Sequence, residues 1–138
     1  MVFTDYCSRW VECFAVPNIE VVTIANFLVK EIMSRHGAPR TLVSDRGSNF
    51  LSSLVKEVCF LMNTHKVFTT SYRLQTDGLV ERFNGTLAQC ISMYVDANQR
   101  NCDEHLNAIQ FAYRTAPSEV IGESPFFYDV WPRRRPSL

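Results

Sequence analysis

This sequence has no surplus of charge of either sign. Its 14 lysines and arginines equal its 14 aspartates and glutamates, so affinity for a polyanion must come from local clusters rather than an overall field. The only dense basic cluster is Arg133, Arg134 and Arg135, and as part of a terminal tail it reads first as a solvated run. No apolar stretch reaches membrane-spanning length, so no membrane partner is expected, and the N-terminus lacks the basic start and apolar core of a secretory signal. The five cysteines, Cys7, Cys13, Cys59, Cys90 and Cys102, contain no C-x-x-C pair. Such an odd, scattered set reads as reduced thiols of an intracellular protein rather than a disulfide framework. His36, His65 and His105 are equally dispersed, which argues against a structural zinc. Repeats and low-complexity linkers are absent, and nothing marks a second domain.

What is present suits one globular domain. The chain has 138 residues, 46% of them apolar and 20% charged, enough to bury a core. Alternating apolar and polar residues predict a hairpin over residues 2–16, with Asp5 inside its first strand. Asn18 is placed to cap a helix over 19–36, whose apolar positions Val22, Ile24, Ala25, Leu28, Val29 and Ile32 recur at helical spacing and which Gly37 and Pro39 end. RTLVS predicts a strand over 40–44 ending at Asp45. A helix follows over 50–63, with Leu51, Leu54, Val55, Val58, Leu61 and Met62 as its buried stripe, and then the strand KVFTTS. A long helix enters near Asp77 and Gly78, with Val80, Phe83, Leu87, Ile91 and Tyr94 on its core face. A last helix over 103–114 carries Leu106, Ile109, Phe111 and Tyr113, and residues 117–138 form an extended tail. This order is mixed α/β.

Two carboxylates stand out. Asp45 ends an apolar strand and meets a sharp turn at Arg46-Gly47, while Glu81 is expected in the first turn of the long helix. Taken singly, the first reads as a turn former and the second as a complement to the helix dipole. Together they follow two different strands, and in open α/β sheets sites gather at the C-terminal strand ends. Converging carboxylates suit Mg²⁺ or Mn²⁺, hard ions that favour oxygen ligands.

Thirty-five residues separate Asp45 from Glu81, within SDRGSNF (44–50) and TTSYRLQTDGLVERFNGTL (69–87). These motifs and their spacing resemble the catalytic core of retroviral and gypsy-class retrotransposon integrases, a family with a D,D-35-E triad on an RNase H-like fold. The resemblance covers nearly the whole chain, with DYCSRWVECFAVP and AYRTAPSEVIGESPFFYDVW falling on further parts of that core. It implies an RNase H-like mixed sheet flanked by helices, with Asp45 and Glu81 as the second and third triad acids and as ligands of Mg²⁺ or Mn²⁺. It also implies DNA contacts by Ser48, Asn49, Tyr72, Gln75 and Asn84. The implied reaction is metal-dependent attack of water or a DNA 3′-hydroxyl on a phosphodiester, with DNA as partner, a homo-oligomeric assembly, no small-molecule substrate and a nuclear location.

Some positions depart from the family pattern. Tyr72-Arg73-Leu74-Gln75 stands where tyrosine-His-Pro-Gln is usual, Leu79 replaces a frequent Gln, and Gly85 occupies a position that is often basic. Asp5 matches an aspartate of the family's second strand, not the first triad acid, which is therefore expected outside this chain together with the first, central strand of a 3-2-1-4-5 sheet. A catalytically inactive, element-derived nucleic-acid-binding or interaction protein is the alternative reading. A different RNase H-like nuclease fits less well, because the SDRGSNF and VERFNGT motifs point to integrases within that wider group.

Overall fold

The computed structural model describes residues 1–69, 74–94 and 102–130. The chain divides into two compact units, one formed by Met1–Ala15 with Gly78–Leu138 and the other by Val16–Asp77.

In the first unit, β1 (Val2–Thr4) and β2 (Val11–Cys13) form an antiparallel pair with Val2 opposite Cys13 and Thr4 opposite Val11. The strands are shorter than the predicted hairpin because Asp5, whose N–H still donates to the Trp10 carbonyl, turns the chain with its side chain. Its Oδ1 accepts from the Cys7 and Ser8 backbone N–H groups and from the Ser8 hydroxyl, at 3.0, 2.7 and 2.9 Å. A short carboxylate that satisfies the backbone in this way favours a turn over a strand. Arg9 completes the turn with φ 62°.

Helix α4 (Leu74–Tyr94) from Gly78 onward, α5 (Cys102–Thr115) and α6 (Pro125–Val130) supply the rest of this unit's regular structure. Phe83 of α4 is fully buried with Val11 and Cys13, and Val2, Leu87, Leu106 and Tyr113 pack around them. The Phe83 and Tyr113 rings meet edge to face at 4.8 Å, a favoured aromatic geometry. Leu106, Ile109 and Tyr113 thus face inward as predicted, but Phe111 is 62% exposed and Gln110 takes the buried place beside Ile109. Within the segment read as an extended tail, Pro125 starts α6, and Ser124 Oγ accepts from the Phe127 N–H. Proline at a first helical position behind a serine is a strong start signal.

The outer edges of the hairpin differ. Backbone bonds join Met1 to Phe14 and Asp5 to Trp10, so the N–H and C=O groups of Val11 and Cys13 point away from β1. Gln110 Oε1 accepts from Cys13 N at 2.8 Å, and its Nε2 donates to Cys13 O at 2.9 Å. Arg114 donates to the Val11 carbonyl. The same guanidinium pairs with Glu12 at 2.8 Å and lies 4.3 Å over the Trp10 ring. At the other edge Val2 and Thr4 direct their backbone groups outward, and among the described residues none takes them up. The Thr4 hydroxyl is also buried without a partner there.

The second unit begins with α1 (Val21–Phe27), continues through a π-helical stretch over Leu28–Met33, and closes as α2 (Ser34–His36). Asn18 accepts from Glu20 N and from the Thr23 hydroxyl, while Glu20 is the N-cap residue. The π turn widens the helix and moves its inner face out of 3.6-residue phase. Leu28 and Met33, five apart, are both buried, whereas Val22 and Val29 of the predicted stripe are exposed. Gly37 ends the helix at φ 85°.

Strand β3 (Thr41–Ser44) runs parallel to β4 (His65–Phe68), with Ser44 opposite Phe68. Between them lies α3 (Ser53–Leu61), capped by Ser52. Only Val55 and Cys59 of α3 are buried, while Leu51, Leu54, Leu61 and Met62 of the expected stripe are exposed. The helix ends with Asn63 at φ 53°, Thr64 N donating to Cys59 O and Asn63 N to Phe60 O. This left-handed cap reverses the chain into β4.

Candidate functional site

Asp45 follows the last residue of β3 and is exposed. Its Oδ1 accepts from the Gly47 N–H at 3.0 Å, an aspartate turn that redirects the chain. The Gly47 carbonyl then accepts from Phe50 N and Leu51 N at 2.9 and 3.1 Å. A Cβ on residue 47 would stand 3.0 Å from Asp45 Oδ1, so glycine permits this close approach. One carboxylate oxygen is thereby oriented by backbone, and the other has no protein partner among the described residues. Ser48 is exposed and Asn49 half-buried in the same turn.

Beneath the turn lies Lys66 of β4. Its ammonium donates to Ser44 Oγ at 2.6 Å and lies 5.3 and 5.1 Å from the Phe50 and Phe68 ring centroids. Burial lowers its pKa below the ordinary lysine value, opposed by the charges of Cys59 and Asp45. The nearby Cys59 thiol is pushed up by burial. The Ser44 carbonyl accepts from Thr69 N at 2.9 Å, so β4 fixes the end of β3 through backbone and side chain together. Sequence reasoning missed Lys66, whose signal is a lysine next to the apolar pair Val67-Phe68 in a short strand.

Glu81 lies on α4 and is exposed, as is Asn84 one turn later, with Phe83 buried on the opposite face. The helix starts at Leu74 rather than near Asp77, so Glu81 lies beyond the first turn and does not act there as a dipole complement. Leu74 and Gln75 are good helix formers, and Gly78 is an interior residue rather than the start. Gln75 occupies the first turn of α4. Tyr72, Arg73 and Arg133 to Arg135 lie outside the described residues.

Asp45 belongs to the unit Val16–Asp77 and Glu81 to the unit containing Gly78–Leu138. Both are exposed hard-oxygen donors of the kind Mg²⁺ and Mn²⁺ take. Among the described residues no three His, Cys, Asp or Glu side chains form a metal cluster. Asp5 is occupied in organising its own turn. Among the described residues no helix is long and apolar enough to cross a membrane.

Residues 1–74 match the family described as the integrase core domain. The chain is 22% identical over 119 residues to the retrovirus-related Pol polyprotein from transposon 412 of Drosophila melanogaster, covering 86% of this chain and 10% of that protein. It is 32% identical over 92 residues to the Gag-Pol polyprotein of feline leukemia virus, covering 67% of this chain and 5% of the relative. The chain thus spans a tenth or less of either polyprotein.

Among solved structures, the HTLV-2 integrase catalytic core domain in complex with magnesium superposes with TM-score 0.74 at 23% identity, over 93% of this chain and 82% of that one. A chain of the simian T-cell lymphotropic virus intasome in complex with PP2A regulatory subunit B56 gamma superposes with TM-score 0.84 at 19% identity, over 99% of this chain and 50% of that one. These likenesses show the RNase H-like fold.

Proposed function

The chain belongs to the integrase core domain family, and from that premise we propose that it serves metal-dependent joining of DNA ends, with Asp45 and Glu81 as two of the metal-holding carboxylates. The observation that carries this is the pair itself. An exposed aspartate at a strand's C-terminal end and an exposed glutamate on α4 stand in the family's motifs with 35 residues between them. A bound Mg²⁺ or Mn²⁺ would activate the attacking oxygen and stabilise the leaving one. The chain's own contribution is orientation: Gly47 N–H fixes one Asp45 oxygen and leaves the other for the ion, while α4 presents Glu81 on a regular helix. Ser48, Asn49, Tyr72, Gln75 and Asn84 would contact DNA, the assembly would be oligomeric, and the working location nuclear.

A second reading is a non-catalytic nucleic-acid-binding or interaction protein. In it Ser48, Tyr72, Gln75 and Asn84 would matter more than the two acids, and Asp5 stays engaged in its own turn.

Titration of the full chain with Mn²⁺, followed by water-proton relaxation, tests the metal reading. Asp45→Asn and Glu81→Gln should each weaken binding, and the double variant should abolish it. Wild-type affinity unchanged in the double variant would remove both residues from the metal site.

A further inference from the structure

A half-buried lysine gains from having its donors filled, and Lys66 has three. Ser44 Oγ takes one, at 2.6 Å. The Phe50 and Phe68 rings, at 5.3 and 5.1 Å, offer the charge π-density, which attracts a cation without replacing directional hydrogen bonds. Among the described residues no carboxylate lies within ion-pair distance of the ammonium, although Asp45 is near enough to interact with it through space. Half-buried ammonium groups in this state favour an anionic acceptor, because a charge-assisted hydrogen bond offsets the loss of water.

The surroundings fix where such an acceptor would lie. Ser44 is the last residue of β3 and Asp45 the next, while Phe50 comes from the turn that Asp45 begins. The ammonium is therefore built into the support of that turn. Its apolar stem lies in the strand, and its remaining donors belong to the same end of the sheet as the carboxylate.

We propose that Lys66 is a phosphate-contacting residue, its ammonium taking an oxygen of a DNA phosphodiester beside the Asp45 turn on the N–H groups that Ser44 leaves unfilled. The assignment rests on the DNA-joining reading of Asp45 and adds a binding contact to it. Lys66 adds a second cation to a turn that already carries the exposed Arg46, in a chain of balanced overall charge, and it reads no base, because a point charge on phosphate is indifferent to sequence.

The test is anisotropy titration of a labelled DNA duplex with the full chain across a range of salt concentrations. The variants are Lys66→Met, which keeps the stem over the rings, and Lys66→Arg, which keeps the charge. Lys66→Met should weaken binding several-fold and reduce the slope of log affinity against log salt by about one. Lys66→Arg should restore that slope, and Ser44→Ala should leave it at the wild-type value. Weaker binding of Lys66→Met at unchanged slope would assign Lys66 a purely structural role and overturn the proposal. If Lys66→Met does not fold, Lys66→Gln is read by the same two criteria. A wild-type chain with no salt-dependent affinity for DNA overturns the DNA reading itself and the Lys66 contact with it, an outcome distinct from a failure of Lys66 alone.

Discussion

Gln110 holds the backbone of Cys13 with both ends of its amide, donating to the carbonyl at 2.9 Å and accepting from the N–H at 2.8 Å. A side chain on α5 thus completes the hydrogen bonding of β2 as a neighbouring strand would. Replacing Gln110 with Leu leaves two buried backbone groups unsatisfied and should cost about 2–4 kcal/mol. Gln110→Glu keeps the acceptor and should lose less. Urea unfolding of the three proteins measures this, and equal midpoints would show that the pair of bonds contributes nothing.

Arg114 and Glu12 form a pair with side chains 15% and 6% exposed, and Trp10 Nε1 donates to the same carboxylate at 3.0 Å. Arg114→Met strands Glu12 in the interior, with an expected cost of about 3–5 kcal/mol. Adding Glu12→Gln should recover part of it. A double-mutant cycle decides the matter, since strictly additive losses would mean the two groups do not interact.

Gly85 lies inside α4 with open space around the position of a Cβ. Gly85→Ala should stabilise the fold by about 0.5–1 kcal/mol, because alanine loses less conformational freedom in a helix. A lower thermal midpoint than wild type would contradict this.

Gly47 is the opposite case. A methyl group at residue 47 meets Asp45 Oδ1 at 3.0 Å, so Gly47→Ala should turn the exposed carboxylate away with little change in stability. Mn²⁺ affinity is the readout, and it should fall toward that of Asp45→Asn. Retained affinity would separate the Gly47 contact from the orientation of Asp45.

Burial pushes the Cys13 thiol up to about 11 from an ordinary 9.0, the charges of the N-terminus and Arg114 opposing and that of Glu12 assisting. A raised acid group stabilises the fold below its unfolded value, and the stabilisation is lost as pH rises toward the folded one. The stability difference between wild type and Cys13→Ala should therefore be constant below pH 9 and shrink between about 9 and 11. A flat difference across that window would contradict the shift. Exposed Cys7 should be alkylated well before Cys13.

Local features were the most legible in the sequence. Gly37 ended a helix at φ 85° as its position predicted, and Asp45 lay after a short strand because an apolar run followed by Asp-Arg-Gly has few other readings. Periodicity failed where the helix changed its winding, since the π turn carries the inner face from Leu28 to Met33. It failed again at Phe111, where hydrophobicity pointed inward and the buried place went to Gln110. The role of Gln110 depends on a partner 97 residues away, which no local pattern encodes. The contacts of Lys66 depend likewise on parallel pairing that places Ser44 opposite Phe68.

The two edges of the hairpin also give its sheet a direction. Beyond β2, an amide and a guanidinium occupy the backbone groups on which another strand would dock. Beyond β1, Val2 and Thr4 leave theirs unclaimed among the described residues. Recruitment of a strand to this sheet is therefore one-sided: it can proceed at β1, and at β2 it must first displace Gln110 and Arg114. Whatever extended segment meets this unit, its own or another molecule's, encounters one side receptive to pairing and one side already stoppered.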